Sequence, residues 1–357
     1  EILDDDDPAL YSSPLSNAQK ALMGEMVTDS HDVDDNDRLI LRATGYGPKG
    51  TVVRLSRVLE SIQNITTTPA TSLNPAILVN GDLNVSGSIN LQGDEGSVHA
   101  NGDLTISGNA AVVSGDATSS GDFTYNESWH AGGAQGSGYP TVNIPDIEAT
   151  DYSAHADYIL TSGGVIQYGP SHPDVVAGTA TVNAVCVCAG SGWTTSGGNW
   201  SVSGNTVMTG TFYAEGNVTI SGSPGKKGAE IALSVIATGS ISITGTPKFR
   251  PENDARLQFV TDGDLVIAGN VDLDDATAVE GQILVREQMS ISGNPDFQGR
   301  ILVQNVTTDG AAQSSVVATN SVSGNPTITY NGTLGAIEVP GTSTTDYTNN
   351  ITGWMEQ

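Results

Sequence analysis

A short phrase recurs eight times in this 357-residue chain and constrains its fold more than any other feature. Each copy reads apolar, any residue, apolar, any residue, glycine. The copies are Leu83–Gly87, Leu104–Gly108, Trp200–Gly204, Val218–Gly222, Ile241–Gly245, Leu265–Gly269, Met289–Gly293 and a degenerate Asn320–Gly324. From Gly204 to Gly293 the closing glycines are separated by 18, 23, 24 and 24 residues. A period in this range, built from short alternating strands, is typical of a solenoid whose coils stack on one another.

Alignment of the repeats predicts which side chains face the interior. Ile243, Ile267 and Ile291 fall in one column at a spacing of 24 residues. Because strand side chains alternate, the apolar columns point into the coil and the residues between them point outward. Two strands and their turns leave room for a third short side, and parallel crossovers are right-handed. The sequence therefore predicts a mainly β fold, a right-handed parallel β-helix with three-sided coils of about 21–24 residues.

The rest of the chain is organised around this array. A β-hairpin is predicted from Arg38–Gly45 and Thr51–Leu59, whose intervening residues have turn chemistry, and a short helix from Asn17–Met26. The predicted domains are a small α/β element at 1–64, a linker at 65–75, the solenoid at 76–332 and a C-terminal cap or tail at 333–357. Within the solenoid, the period is lost between about 110 and 198, which predicts an irregular excursion.

Charge excludes some classes of partner. Acidic residues outnumber basic ones 40 to 13, giving a net charge of −27. Nucleic acids and anionic membranes are bound through Lys and Arg, so neither is an expected partner. No apolar run approaches the roughly 18 residues of a membrane span.

One acidic run is a candidate calcium loop. Asp32, Asp34, Asn36 and Asp37 place oxygen ligands as at the start of an EF-hand loop. However, Ala43 stands where the closing Glu is expected, and the sixth position is not glycine. The run is therefore either a nonstandard calcium loop or a solvated acidic turn, and no other cofactor is predicted.

The excursion holds two further candidate sites. Cys186 and Cys188 project from one face of a strand, where they could form a local disulfide, bind a metal with help from elsewhere, or lie buried. Five aromatic residues are candidates for a partner- or glycan-binding platform, and the alternative is that they pack the loops onto the coil. They are Trp129, Tyr139, Tyr158, Tyr168 and Trp193.

Several segments are similar to a known family. Phe212–Gly222, Arg286–Pro295 and Ser323–Tyr330 resemble a bacterial β-helix domain of uncharacterised function, commonly carried by PilX-like, type IV pilus-associated surface proteins. Asp32–Gly45 is similar to the part of those proteins that follows the pilin-type helix. The resemblance implies a pilin-like N-terminal element, an extracellular or cell-surface location on a bacterium, and other pilin-like subunits as partners. It implies membrane attachment only through a hydrophobic N-terminal helix that this sequence lacks, and it transfers no catalytic residue.

These observations predict a structural or adhesive component of a pilus-like appendage: a rigid rod without catalytic activity that contacts pilin-like subunits, copies of itself or surface glycans. One alternative is a carbohydrate-active β-helix enzyme, which needs clustered carboxylates with a basic partner. Its candidates are Asp262, Asp264, Asp272, Asp274 and Asp275 with Arg286. The other alternative is a self-polymerising filament subunit joined through open coil edges.

Overall fold

The computed structural model describes residues 74–108, 111–126, 129–188, 190–225, 229–273, 279–306 and 319–334, and the backbone of five further strands near the chain ends. The fold is mainly β. In chain order the first strands are β1 (Ile2–Asp4), β2 (Arg38–Tyr46), β3 (Val52–Thr67), β4 (Ile77–Val79), β5 (Leu83–Val85), β6 (Asn90–Gln92), β7 (Val98–Ala100), β8 (Leu104–Ile106), β9 (Val112–Val113), β10 (Ala117–Ser119), β11 (Phe123–Tyr125), β12 (His130–Ala131) and β13 (Gln135–Gly136).

The later elements begin with a 3-10 helix at Ala149–His155 and include one short helix, α1 (Pro173–Val176). The strands are β14 (Tyr158–Leu160), β15 (Ile166–Tyr168), β16 (Thr194–Ser196), β17 (Asn199–Val202), β18 (Gly210–Ala214), β19 (Val218–Ile220), β20 (Ile231–Ala237), β21 (Ile241–Ile243), β22 (Phe249–Arg250), β23 (Leu257–Thr261), β24 (Leu265–Gly269), β25 (Asp272–Leu273), β26 (Gly281–Val285), β27 (Met289–Gly293), β28 (Asp296–Val303), β29 (Asn320–Val322), β30 (Thr327–Thr329), β31 (Ser343–Ile351) and β32 (Met355–Glu356). Within the described residues, no helix is long and apolar enough to cross a membrane.

The chain divides into two compact units, and the first comprises Glu1–Ala70 and Pro340–Gln357. Its antiparallel sheet has the order β1-β2-β3-β31, with β32 also paired to β3. The predicted hairpin is present as β2 and β3, which pair from Arg38 with Glu60 to Tyr46 with Val52. The predicted helix at Asn17–Met26 lies outside the described residues.

Both ends of the first unit differ from the predicted boundaries. Strand β3 runs on to Thr67, so the first residues of the predicted 65–75 linker belong to a strand. Strand β31, within the predicted tail at 333–357, pairs with β3 from Ser343 to Ile351. Threonine and isoleucine have a high propensity for β-strands, which explains why β3 extends to Thr67. The tail's pairing partner is almost three hundred residues away in sequence, and no local pattern reveals it.

The second unit, Thr71–Val339, is built from repeated three-strand windings. Strands β4, β5 and β6 form one winding. The next three strands pair with them in parallel, β7 on β4, β8 on β5 and β9 on β6. Leu83 pairs with Leu104 and Val85 with Ile106, so each repeat phrase lies over the next.

The predicted interior column is confirmed. Ile243 pairs with Ile267, and Ile267 pairs with Ile291. All three side chains are buried within one continuous hydrophobic core. Ser242, Val266 and Ser290, which alternate with them, form a partly exposed column on the other face of the sheet.

The closing glycines also stack on one another. Gly269 pairs with Gly293 in the parallel ladder. At Gly293 the backbone has φ of +87°, and an added Cβ would lie 2.4 Å from the carbonyl oxygen of Gly269. This contact leaves no room for a side chain, which explains why glycine closes the phrase.

The windings are not stacked in the order of the chain. The ten-stranded sheet that carries the phrases has the order β11-β8-β5-β29-β27-β24-β21-β19-β17-β16. The last phrase strand, β29, pairs in parallel with the first, β5, through Asn84 and Ser321. The chain thus starts in the middle of the stack, winds to one end, crosses to the other end and winds back to meet its own first winding.

The crossing is made by residues 137–157, here called the return segment. Val142, Ile147 and Ala149 pack in a second hydrophobic cluster. Their partners are apolar side chains on the outer face of the neighbouring sheet, in paired register along five strands: Leu78, Leu302, Leu284, Val260 and Ile236. The return segment therefore covers a row of apolar residues that would otherwise face solvent.

The predicted excursion at 110–198 is too long. Regular winding continues to Gly136, because β10 and β13 pair in parallel and β11 pairs with β8. This winding does not match the repeat phrase in sequence. Phe123 and Tyr125 stand at the two apolar positions, and Glu127 stands at the position of the closing glycine. The excursion proper begins with the return segment.

Candidate functional site

Polar side chains join each winding to the next at the residue before each phrase. Asp82 Oδ1 accepts a hydrogen bond from the Asp103 amide at 2.8 Å, and Asp103 Oδ1 accepts one from the Asp122 amide at 2.8 Å. The same contact recurs from Asn199 to Asn217, Ser240, Asp264 and Gln288, at 2.8–3.2 Å. Sequence reasoning missed this ladder, although the Asp or Asn before most phrases was its signal. Part of the acidic composition thus connects windings rather than binding ligands.

The aromatic side chains form two groups at opposite ends of the strand order. In the first, Trp129 contacts the rings of Phe123 and Tyr125, each at 5.5 Å between ring centroids. Phe123 and Tyr125 lie on β11, the outermost strand of the ten-stranded sheet. Trp129 is buried, and Tyr125 is 53% exposed. This group closes one end of the core.

The second group lies around Phe212 on β18. Tyr158 stacks on its ring at 5.1 Å, and Trp193 packs against it at 5.1 Å. Tyr168 contacts the His172 ring at 4.6 Å. The indole Nε1 of Trp193 is buried and has no hydrogen-bond partner in the described part of the chain.

His172 connects this group by hydrogen bonds. The Asp174 amide donates to Nδ1 at 3.1 Å, and Nε2 lies 3.1 Å from Tyr158 Oη. Because Nδ1 accepts, the neutral ring carries its proton on Nε2 and donates it to the phenol oxygen. Burial, reinforced by the charge of Asp157, raises the pKa of Tyr158, so the phenol stays protonated.

The five predicted aromatics therefore do not share one platform. Trp129 lies at one end of the stack, while Tyr158, Tyr168 and Trp193 lie at the other. Tyr139 is partly exposed, and its backbone amide donates to Ser119 O at 3.0 Å. The buried tryptophans and stacked rings pack the ends of the core, which is the alternative that the sequence left open.

Cys186 and Cys188 are joined by a disulfide, with Cα atoms 5.2 Å apart. They lie in a segment that pairs with β15 through an antiparallel bridge between Gln167 and Val185. Val187, enclosed between the two cysteines, is 91% exposed. No functional role for the valines of this segment was predicted from the sequence.

The candidate enzymatic carboxylates are engaged in structural contacts. Asp262 Oδ1 accepts the Ala149 amide at 2.6 Å, and Asp264 Oδ1 accepts the Gln288 amide at 3.1 Å. Asp272 forms a close ion pair with Lys248 of the adjacent winding. The guanidinium of Arg286 lies 3.6 Å from a carboxylate oxygen of Glu148 in the return segment. Asp274 and Asp275 lie outside the described residues.

The candidate calcium ligands Asp32, Asp34, Asn36 and Asp37 also lie outside the described residues. In the part of the chain that the structure describes, no three His, Cys, Asp or Glu side chains are grouped so as to hold a metal ion. Calcium binding therefore stays a prediction.

The return segment is anchored by two half-buried carboxylates. Besides its contact with Asp262, it is held by Asp157, whose Oδ2 accepts the Thr211 amide at 2.8 Å. Burial raises the pKa of both Asp157 and Asp262, and the hydrogen bond that each accepts partly offsets the effect. The two carboxylates that hold the return segment therefore bind protons more tightly than exposed Asp side chains do.

No family model and no curated protein matches the sequence. A solved structure of the competence-associated pilin ComZ from Thermus thermophilus is similar at a TM-score of 0.28 and 12% sequence identity. The alignment covers 91% of this chain and 82% of that chain. At this score the similarity carries no argument about fold or function.

Proposed function

We propose that this chain is a structural or adhesive component of an extracellular, pilus-like appendage on a bacterium and has no catalytic activity. In this proposal the windings form a right-handed parallel β-helix with three-sided coils, which serves as a rigid rod. A pilin-like element formed by the chain ends joins it to pilin-like subunits. Surface glycans are a further candidate ligand.

The observation that carries the proposal is the unbroken parallel register from β17 to β11. Nine strands carry matched side chains, and side-chain hydrogen bonds run from one winding to the next. Such a stack resists bending because each winding is bonded along its length to both neighbours. The sequence resemblance to PilX-like surface proteins supplies the biological setting.

The enzyme alternative has less support. The described members of its acidic group, Asp262, Asp264 and Asp272, each have a partner that holds the fold together. A catalytic pair must instead face a substrate with a free proton-transfer atom. The filament alternative would need exposed coil edges at both ends, and β17 is covered by the antiparallel strand β16.

The test is to shear surface appendages from cells that express the chain natively and to label them with antibodies against it. The proposal predicts labelling along or at the tips of filaments and enrichment in the sheared fraction. Retention in the cell body with no filament labelling would contradict it. Release of reducing ends from polysaccharides by the purified chain would favour the enzyme instead.

A further inference from the structure

Lys248 and Asp272 lie on adjacent windings, and their side chains are in direct contact. The ammonium nitrogen of Lys248 contacts Oδ2 of Asp272. Both side chains are largely buried, at 26% and 21% exposed. In the ion pair between Arg286 and Glu148, by contrast, the charged atoms are 3.6 Å apart and the Glu148 side chain is 42% exposed. The Lys248 pair is therefore closer and better shielded from water.

The parallel ladder holds the two residues opposite each other. Lys248 and Asp272 form a bridge between the windings. The Lys248 amide donates to Pro224 O at 2.8 Å, and the Asp272 amide donates to Pro247 O at 2.9 Å. The backbone is therefore fixed at both residues, with a spacing between windings of about 4.8 Å. For well-oriented groups within one molecule, effective concentrations reach about 10⁵–10⁸ M. This geometry favours a reaction that joins the two side chains.

A second carboxyl group comes next in the same column. Asp272 pairs with Asp296 of the following winding, and Leu273 pairs with Phe297 in the same register. Paired residues project from the same face of a sheet, so Lys248, Asp272 and Asp296 form one row across three windings. A carboxylate beside a reacting carboxyl group can accept a proton and return it.

We propose that Lys248 and Asp272 become joined by an isopeptide bond, an amide between their side chains. Transfer of a proton from the ammonium to the Asp272 carboxylate gives a neutral amine and a carboxylic acid. The lone pair of Nζ then attacks Cγ of Asp272, and the bond between Nζ and Cγ forms. Asp296 accepts a proton from this nitrogen and returns it to the leaving hydroxyl. The Cγ–O bond breaks and one water molecule leaves, without an oxidant or a reductant.

The ordinary alternative is an ion pair that stays an ion pair. Burial disfavours it, because two ions lose hydration when they are shielded from water, whereas an amide carries no charge. The residue type also matters, since the lysine nitrogen becomes a nucleophile on losing its proton, whereas arginine keeps its charge. The bond would link two windings through residues that are 24 apart in sequence. The inference does not depend on the proposed function.

The test is the intact mass of the full chain, denatured and with its disulfide reduced. The proposal predicts a mass lower than that of the sequence by one water molecule. Trypsin should fail to cut after Lys248, because its side chain is acylated. The peptides that contain Lys248 and Asp272 should be recovered as one branched product.

Two variants separate this bond from other losses of water. Lys248→Arg keeps a cation beside Asp272 but cannot form the amide, so it should have the full mass of its sequence. Asp296→Asn keeps the size of the side chain and removes the proton acceptor, so the linked fraction should fall by about tenfold or more. A parent chain of full mass, or a loss of water that persists in Lys248→Arg, would overturn the proposal. An unchanged linked fraction in Asp296→Asn would overturn the proton transfer assigned to Asp296.

Discussion

Two sheets of the same stack have outer faces of opposite character. On the ten-stranded sheet that carries the phrases, small polar residues such as Thr105, Asn84 and Ser321 alternate with buried ones and face outward. On the neighbouring sheet, strands such as β23 are buried at every residue. The difference arises because the return segment covers only the second sheet. A cover over one face buries the outward-facing residues as well, so burial no longer alternates along the strand.

This difference explains how much of the fold could be predicted. The alternation in the phrases revealed the interior column of Ile243, Ile267 and Ile291. Runs such as Ile231–Ala237 and Leu257–Thr261 are rich in apolar residues, but their sequence does not say that both faces of the strand are covered. The identity of the cover, residues 137–157, depended on contacts more than a hundred residues apart, such as Ala149 with Asp262.

The order of the windings could not be predicted for a related reason. All phrases except the degenerate Asn320–Gly324 share one pattern, so the sequence of β5 does not say which phrase strand lies beside it. At the candidate sites, residue type suggested a disulfide and aromatic contacts. It could not show that the five aromatics separate between two ends of the stack.

The glycine column gives the largest expected effect on stability. Gly293→Ala places a Cβ 2.4 Å from Gly269 O at a positive φ, so one winding must move away from the next. We expect a loss of about 3–5 kcal/mol in the free energy of unfolding, measured in urea. Gly204→Ala is the matched control, since it closes the same phrase but has only the Thr206 amide nitrogen within 4 Å, at 3.9 Å. Equal losses in the two variants would show that the windings do not stack through this column.

The covered and open faces can be compared by trimming one side chain on each. Leu284 is buried beneath the return segment, and Leu284→Ala should lower the free energy of unfolding by about 2–3 kcal/mol. Val266 lies in the outward column of the open sheet, and Val266→Ala should change it by about 0.5 kcal/mol or less. Urea titrations of both variants measure the contrast. A larger loss for Val266→Ala would contradict the assignment of the two faces.

A smaller effect on the free energy of unfolding is expected at Asp262, which accepts a hydrogen bond from Ala149 in the return segment. Burial raises the pKa of Asp262 above its ordinary 3.8, so the folded protein binds this proton more tightly than the unfolded chain does. Its contribution to stability therefore falls as the pH rises from 3.8 through the raised pKa, and it is unfavourable at pH 7. Asp262→Asn keeps the oxygen that accepts the Ala149 amide and removes the ionisation.

The Asn variant should be as stable as the parent at pH 7 or more stable, by less than about 1 kcal/mol. The gain should vanish in acid. Urea unfolding at pH 7 and at a pH near 4 checks this. The buried His99 is a separate source of pH dependence, since burial lowers its pKa and its protonation in acid opposes folding. The same titration of His99→Gln separates the two groups. If Asp262→Asn were less stable than the parent at pH 7 but not in acid, the raised pKa of Asp262 would be contradicted.

The permuted order of the windings is tested most directly by one distance. Spin labels at Thr124 and Ser201 report on the strands β11 and β17, which lie eight positions apart in the ten-stranded sheet. At about 4.8 Å per strand, double electron–electron resonance should give a separation of roughly 38 Å. Windings stacked in chain order would bring these two phrases close together. A distance of only one or two strand spacings would therefore contradict the account.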